Sequence, residues 1–422
     1  MKKSICMIII SLYCCSGFAQ MTIEDCYQKV QANYPLIKQY DLIEKTKEYN
    51  LSNANKGYLP QILFSAKATY QSDVTKMPFD PAQLGMAGVK IPTLGKDQYG
   101  ATVDINQALW DGGAIKSQKD GISTANEVDK KNIEVSIYAI NERVNQLFFG
   151  ILLADAQIRQ NELLQENLQS TYEQIQSYVQ NGVANQSDLG AVKVDQLKTK
   201  QVHVQFVNTK RAYIEVLSKL IGEELNMNTP FEKPNIQRPI TNEIRRPELD
   251  LYDAQIRNLE AQDKAITSDL MPKLGLFVTG GYGKPGLNMF KDKFSTYYIG
   301  GVKLTWNLGG FYTKKNNKRQ IQTNISSVET QRETFLFNTK LDIAQKNNTI
   351  SSYQDQLKYD DEIIALRGSV KKASETKMAN GTLSATDLVR DINAEQMAIQ
   401  DKILHETELL LAIYNLKFAT SN

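Results

Sequence analysis

The sequence predicts an α+β fold in which four amphipathic strands and several long coiled-coil helices are arranged as two copies of one unit. Three observations predict it. Short motifs recur at nearly constant separation, each copy contains 137 consecutive residues without proline, and alternating apolar and polar segments separate the helix-like regions. Because proline disrupts helix interiors, the proline-free stretches 93–229 and 286–422 permit long helices.

The N-terminus has the pattern of an exported protein. Lys2 and Lys3 precede an uncharged apolar run that ends at Tyr13, and Ala19 occupies the last position of a small-residue motif. We therefore predict a signal peptide at 1–19. Its removal takes three of the four cysteines and leaves 47 basic and 47 acidic residues. The mature chain then lacks an internal disulfide, and its balanced charge does not favour nucleic-acid binding.

The repeated motifs define an internal duplication. Pro35 and Pro60 are each followed by a matching proline 212 positions later, and the glycine-containing turn at 181–189 recurs 199 positions later. The shorter second separation indicates extra residues between 71 and 98 in the first copy. The predicted divisions are a first repeat at 20–222, a linker at 223–246 and a second repeat at 247–422.

Helical periodicity accounts for most of each repeat. Apolar residues at steps of three and four, such as Leu147, Ile151 and Ala154, are typical of coiled-coil seams. The longest predicted helices would each measure about 100 Å at about 1.5 Å per residue. The predicted helices span 21–56, 112–180, 187–221, 247–270, 311–379 and 387–420.

Two tight reversals join the long helices into helical hairpins at 112–221 and 311–420. Asn181-Gly182 and Asn380-Gly381 offer the left-handed residue that commonly ends a helix. Ser187 or Asp188, and Thr386 or Asp387, can then cap the next helix. We predict that the four turn residues contact a partner, since they would lie at the far end of each hairpin.

Two β-hairpins, at 61–108 and 273–307, separate the helical segments. Their strands alternate apolar and polar residues over about 9–11 positions, the length that crosses a bilayer when tilted. Aromatic residues bracket them, which is typical of an outer-membrane β-barrel, although a soluble sheet with one buried face would share the alternation. The bracketing residues are Tyr58, Trp110, Trp306 and Phe311 at one end, and Tyr70, Tyr99, Tyr282, Tyr297 and Tyr298 at the other.

Four strands cannot close a membrane barrel, and open edges are not tolerated in lipid. The smallest membrane barrels have about 8 strands. We therefore expect oligomerisation, with three copies supplying a 12-stranded outer-membrane barrel of four strands per chain. The long helices would continue it as a periplasmic α-helical coiled-coil barrel.

The sequence contains little that indicates chemistry. A GxGxxG match at Gly281, Gly283 and Gly286 is followed by another strand rather than a helix, so it is interpreted as a hairpin loop. The two histidines, His203 and His405, lie in heptad-like helices and are expected to be solvated or packed. We predict no enzyme activity, no metal and no cofactor.

The duplicated hairpin-plus-helix units, the signal peptide, "LWDGG" at 109–113 and "NGTLSATDL" at 380–388 together resemble the TolC family of outer-membrane efflux proteins. The resemblance covers the mature chain. It implies a homotrimer in outer-membrane lipid that extends into the periplasm. The partners that it implies are a periplasmic adaptor (membrane fusion) protein and an inner-membrane transporter.

The family's acidic residues after the second tip turn ring a closed periplasmic aperture. The resemblance places Asp387 at the first of these positions and Arg390 at the second, with Asp391 one residue beyond. Met378 and Leu383 stand where the best-known member has a Tyr and an Arg that lock the aperture, so that lock is not expected here. Helix capping alone is the alternative role for Asp387.

The function that the resemblance implies is passive conduction of exported solutes through the exit duct of a tripartite efflux or type I secretion system. One alternative is a periplasmic coiled-coil scaffold protein without a channel. A hydrolase that uses surface carboxylates is a second alternative, but no paired catalytic site with a supporting residue can be named.

Overall fold

The computed structural model describes residues 20–75, 93–182, 184–235 and 243–421. The predicted signal peptide lies outside the described residues, as do 76–92 of the predicted insertion and 236–242 of the predicted linker. The described chain confirms the α+β class: long helices accompany one small antiparallel sheet. Among the described helices, none contains an apolar stretch that could cross a bilayer.

Both repeats follow the same element order, with a helical start, a β-hairpin and two long helices. The first repeat contains α1 (Ile23–Asn33), α2 (Lys38–Asn55), β1 (Gln61–Tyr70), β2 (Asp97–Trp110), α3 (Ala114–Gln180) and α4 (Gln186–Ile221). The second contains α5 (Pro247–Ser268), β3 (Lys273–Lys284), β4 (Ser295–Thr305), α6 (Phe311–Ala379) and α7 (Ala385–Thr420). Short 3-10 turns stand at Pro35–Ile37, Lys56–Tyr58 and Leu308–Gly310.

The prediction of one continuous helix over 21–56 is wrong. Tyr34 has extended backbone angles (φ −63°, ψ 127°), and the 3-10 turn at Pro35–Ile37 separates α1 from α2. The residue before a proline avoids the helical region, which explains the break. Pro247, the matching proline of the second repeat, is the first residue of α5. The backbone N–H at that position makes no intrahelical hydrogen bond in any helix, so proline is tolerated there.

One compact unit consists of the described residues within Met1–Lys38, Ile133–Pro247 and Glu333–Asn422. Its largest core contains the fully buried Phe148, Phe149 and Ile221. Cys26 belongs to that core, and burial raises the pKa of its thiol to about 12, so the thiol stays protonated at neutral pH. A second core lies next to the two tip turns and contains residues from all four long helices.

The other compact unit spans Gln39–Asn132 and Glu248–Arg332 and contains the sheet. Its four strands are antiparallel in the order β1-β2-β3-β4, so β1 and β4 are the edges. Asp111, the acidic residue of "LWDGG", ends β2 and starts α3: its carboxylate accepts the Ile115 N–H at 2.6 Å and the Gly113 N–H at 3.0 Å. Gly112 has a positive φ, and a side chain there would collide with Met271.

Candidate functional site: a two-faced sheet and two helix tips

The strand register separates the side chains of the sheet into an apolar face and a polar face. Residues that pair directly across all four strands form a row. One row on the apolar face consists of Phe64, Val103, Gly280 and Tyr298, one from each strand in turn. Large side chains on this face are open to solvent in the single chain, with Phe64 69% exposed and Tyr298 82% exposed. A contiguous apolar surface of this kind marks contact with lipid or with a partner.

Aromatic residues stand at both ends of the apolar face, as the sequence predicts. Trp306 stacks edge-on against Phe311 where the sheet meets the helices. At the other end Phe294, which the sequence analysis did not single out, packs against Tyr99 and Tyr282. The two aromatic groups mark the edges of an apolar band, which is the arrangement found at membrane interfaces.

Tyr297 is one of the predicted bracketing residues and stands at the predicted end of the sheet. It lies on the polar face, because adjacent residues of a strand point to opposite sides and Tyr298 faces the apolar side. A Cβ placed on Gly281 would stand 2.3 Å from the Tyr297 ring, so the ring lies directly over that glycine. Gly281 and Gly283 are also part of β3 rather than of the hairpin loop that was predicted.

The two edge strands leave backbone hydrogen-bonding groups without a partner in the sheet. Lipid cannot satisfy such groups, and each one left unpaired costs several kcal/mol. An apolar face with open edges is therefore incomplete as a membrane structure in a single copy. Pairing of β4 in one copy with β1 in the next would complete it.

The two tip turns have the same conformation at their glycines. Gly182 and Gly381 both have positive φ values, in the left-handed region that glycine adopts without strain. Gly381 donates its N–H to the Met378 carbonyl at 3.0 Å, and Thr382 donates to the Lys377 carbonyl at 2.9 Å. This pair of bonds is the Schellman motif that ends a helix.

The predicted N-caps of the returning helices are wrong by two or three positions. Asn185 caps α4 and Ser384 caps α7, because both helices begin before the predicted residues. Asp188 and Asp387 occupy the third helical position instead. The Asp188 carboxylate accepts the Asn185 N–H at 3.0 Å, and Ser384 Oγ accepts the Asp387 N–H at 3.1 Å. These contacts are elements of the capping box.

The three residues predicted at the aperture lie together in the chain. Arg390 Nη1 is 3.1 Å from Asp387 Oδ1, and Arg390 Nε is 4.0 Å from Asp391 Oδ1. The Asp391 side chain is only 15% exposed, and Ser374 Oγ of α6 donates to its carboxylate at 2.6 Å. Asp387 therefore combines a capping contact with an ion pair, and Asp391 ties α7 to α6.

Sequence reasoning missed two further charged residues of this cluster. Lys371 Nζ of α6 stands 2.6 Å from Glu395 Oε2 of α7, and both side chains are largely buried. The sequence did carry a signal for one of them, because Asp387, Asp391 and Glu395 follow each other at steps of four on one helical face. We call Asp387, Arg390, Asp391, Lys371, Glu395 and Ser374 the second-tip cluster.

The histidines lie in helices and are packed against neighbouring side chains. His405 Nδ1 is 2.8 Å from Asp360 Oδ2, and His203 Nδ1 is buried. Across the described ranges, no group of three or more His, Cys, Asp or Glu side chains is arranged to hold a metal ion.

The first repeat has the sequence pattern of a known family. Residues 26–223 match the family model described as Outer membrane efflux protein. The match covers slightly less than half of the chain and nearly the whole first repeat. No curated protein has a sequence that matches this chain.

Solved structures with the same fold cover almost the entire chain. The Campylobacter jejuni CmeC outer membrane channel is 13% identical over 94% of this chain and 85% of its own, with a TM-score of 0.66. The Vibrio cholerae outer membrane protein VceC is 11% identical over 93% of this chain and 95% of its own, with a TM-score of 0.66. The open-state Neisseria gonorrhoeae MtrE outer membrane channel is 11% identical over 95% of this chain and 89% of its own, with a TM-score of 0.68.

Identities this low establish likeness of fold alone. The family match and the fold nevertheless agree with each other and with the motifs that first indicated the resemblance. The TolC-family resemblance is thereby confirmed: the chain carries the outer membrane efflux protein pattern through its first repeat and a TolC-like α+β fold along almost its whole length.

Proposed function

We propose that the protein is the outer-membrane exit duct of a tripartite efflux or type I secretion system. It conducts exported solutes passively, because energy for transport comes from the inner-membrane transporter. The observation that carries this proposal is the exposed apolar face of a sheet that has aromatic ends and two unpaired edges. Such a sheet requires lipid around it and further copies of itself beside it.

In this proposal three copies form a 12-stranded barrel in the outer membrane. Each copy contributes its four strands, and β4 pairs with β1 of the next copy. The apolar face contacts lipid, and the polar face lines the water-filled interior. The long helices of the three copies extend into the periplasm.

The tip turns are the proposed contact for the periplasmic adaptor. Asn181, Gly182, Asn380 and Gly381 present short side chains and exposed backbone at the end of each helical hairpin. The second-tip cluster is the proposed aperture. Three copies of Asp387 and Asp391 would place six carboxylates around one axis, where they attract cations and Arg390 partly offsets them.

The competing proposal is a periplasmic scaffold whose sheet is soluble. The exposed apolar face argues against it, since a soluble single chain rarely leaves so many large apolar side chains in contact with water. Membrane fractionation separates the two. A scaffold would be released with the periplasm, whereas the duct stays with the outer membrane until detergent dissolves it.

Reconstitution tests the proposed function. Purified protein added to planar bilayers is expected to form discrete ion-conducting channels, and adaptor protein is expected to co-purify with it from native membranes. A protein that stays with the outer membrane but never conducts would contradict the duct. Co-purification lost upon deletion of both tip turns, with conduction kept, would place the adaptor contact at the tips.

A further inference from the structure

Charged side chains are distributed unevenly between the two faces of the sheet. By strand register, the polar face carries three lysines, Lys67, Lys273 and Lys303, and one aspartate, Asp104. The apolar face has charged residues only where the strands end, namely Asp97 and Lys284, whose Oδ2 and Nζ atoms stand 3.4 Å apart. The net positive charge of the strands therefore lies on one side.

Along β3, one of the two inner strands, several polar-face residues are less exposed than their apolar-face neighbours. Along β3, Leu276, Val278 and Tyr282 of the apolar face are exposed, whereas the alternating Phe277 and Thr279 are partly buried. The Lys67 stem lies over the polar face, since a Cβ placed on Gly100 would meet Lys67 Cε at 3.8 Å.

On the polar face of the sheet the carboxylates are fewer than the three lysines. None of them forms an ion pair with any residue in the described part of the chain, and all three are exposed. Asp104 is engaged instead by hydroxyl groups: Thr279 Oγ1 donates to it at 2.5 Å and Thr102 Oγ1 at 3.3 Å. One carboxylate held by two threonines leaves two lysine charges of each chain uncompensated.

The lysines stand at the two ends of the polar face. Lys67 shares a row with Gly100, Gly283 and Ser295, and Lys303 shares a row with Gly275, eight residues further along β4. Because each residue of an antiparallel strand advances the chain by about 3.4 Å, the two rows are well separated, and Asp104 lies midway between them. Lys273 adds a third charge near the helical end, opposite Thr305.

We propose that Lys67, Lys273 and Lys303 make the polar face of the sheet an anion-selecting surface, so that the wall of the duct favours small anionic solutes over cations. The proposal rests on the proposed function, because closure by three copies converts each lysine into a ring of three. Rings of lysine or arginine favour anions in pores, and an enclosed wall of one charge sign concentrates counter-ions.

The anion-selecting surface and the aperture then favour ions of opposite charge. The carboxylates of the second tip attract cations at one end, whereas the lysine rings favour anions inside the sheet. A solute that passes both must tolerate a change in the sign of the surrounding charge. The two contributions can be measured separately, because they come from different residues.

The test measures reversal potential in a potassium chloride gradient across planar bilayers. Native protein and the double variant Asp387→Asn with Asp391→Asn provide the two backgrounds. In each background, Lys67→Gln combined with Lys303→Gln should lower the chloride-to-potassium permeability ratio severalfold. Asp104→Asn is the matched control of opposite sign and should raise that ratio. Both shifts should shrink in concentrated salt, because screening shortens the reach of the charges.

An unchanged permeability ratio in the lysine variants, with normal conductance, would contradict the proposal of an anion-selecting surface. It would not affect the proposed function as an exit duct. A shift of the same direction for Asp104→Asn and for the lysine variants would also contradict the anion-selecting surface, because charge would not be the cause. Absence of any conductance from native protein would instead contradict the proposed function. The two failures are therefore distinguishable.

Discussion

The two helix tips turn at matching left-handed glycines but differ in the contacts between their helices. Across the 199-residue separation of the tip turns, Asp391 of the second tip corresponds to Val192 of the first, and Ser374 corresponds to Ile175. Val192 and Ile175 are completely buried in the apolar core beside the tips. Asp391 and Ser374 form a hydrogen bond instead.

One turn further from the tip the contacts differ again, although Gln196 of the first copy also makes a polar contact, by donating to Gln169 Oε1 at 3.0 Å. Lys371 and Glu395 form an ion pair in the second copy, whereas the corresponding positions hold Tyr172 and Gln196 in the first. Duplication has kept what the reversal needs, namely the glycine, the acidic third position and the buried leucine that follows it. The contacts that hold one helix to the other have diverged.

The difference indicates which hairpin can change conformation. An apolar pair is stabilised by exclusion of water, and separating it costs about 25 cal/mol for each Å² exposed. When a polar pair separates, each group forms hydrogen bonds with water instead. The net free-energy cost of this separation is much smaller, often about 1 kcal/mol. We therefore expect the second tip to open and the first tip to remain closed.

The largest expected effect comes from proline at the tip glycines. Gly182→Pro and Gly381→Pro should each abolish efflux, because the proline ring confines φ to negative values and both positions require a positive φ. Efflux of a fluorescent substrate from cells measures the loss, and heat-resistant oligomer in the membrane shows that the barrel still assembles. Gly→Asn at the same positions is the control, since asparagine tolerates the left-handed region. Normal efflux in both proline variants would remove the tips from the mechanism.

The next effect tests the apolar seam of the first tip. Val192→Asp should lower the free energy of unfolding by about 3 kcal/mol or more, because it places a carboxylate where the side chain is fully buried. Denaturant unfolding followed by circular dichroism measures it. Val194→Asp, on the same helix at a position 49% exposed, should change stability little. Equal effects at the two positions would show that the seam is not closed.

A smaller effect is expected from the second-tip ion pair. Lys371→Ala should destabilise the protein by about 1–3 kcal/mol, because it leaves the largely buried Glu395 carboxylate without its partner. Lys358→Ala is the matched control: its pair with Asp355 is exposed on both sides, so the change should have little effect on stability. A loss no larger than that of the control would mean that the second-tip pair contributes nothing to holding α6 and α7 together.

The smallest effect on stability is expected from the aperture aspartates. Asp387→Asn with Asp391→Asn keeps the shapes of both side chains, and asparagine can still accept from Ser374. Oligomer assembly should persist, while block of the channel by multivalent cations from the periplasmic side should disappear. Asp401→Asn, at an exposed position further along α7, should leave the block intact. A block that survives the double change would reduce both aspartates to capping and pairing roles.

Local rules predicted much of this molecule from sequence. The tip glycines, the two faces of each strand and the long helices follow from backbone preference and periodicity, which depend on residues near in sequence. Tyr297 and Tyr298 stand at the predicted end of the sheet, and period-two alternation places them on opposite faces. The break at Tyr34 was signalled by Pro35 and was misinterpreted.

The partners of Asp391 and Glu395 were not predictable in this way. Ser374 and Lys371 lie on a different helix, and their contacts depend on which faces of α6 and α7 meet. Helical periodicity places residues on a face but does not say which face packs against which. The capping residues were missed for a simpler reason, since Asn185 and Ser384 stand only two or three positions before the predicted ones.

Assembly is the property on which the sheet, the aperture and the proposed duct all depend. The most direct measurement is the mass of the protein extracted from outer membranes in mild detergent, determined by native mass spectrometry on a sample that conducts in bilayers. The account predicts three protomers, because open edges of β1 and β4 must pair between copies. A conducting sample with the mass of a single protomer would contradict it.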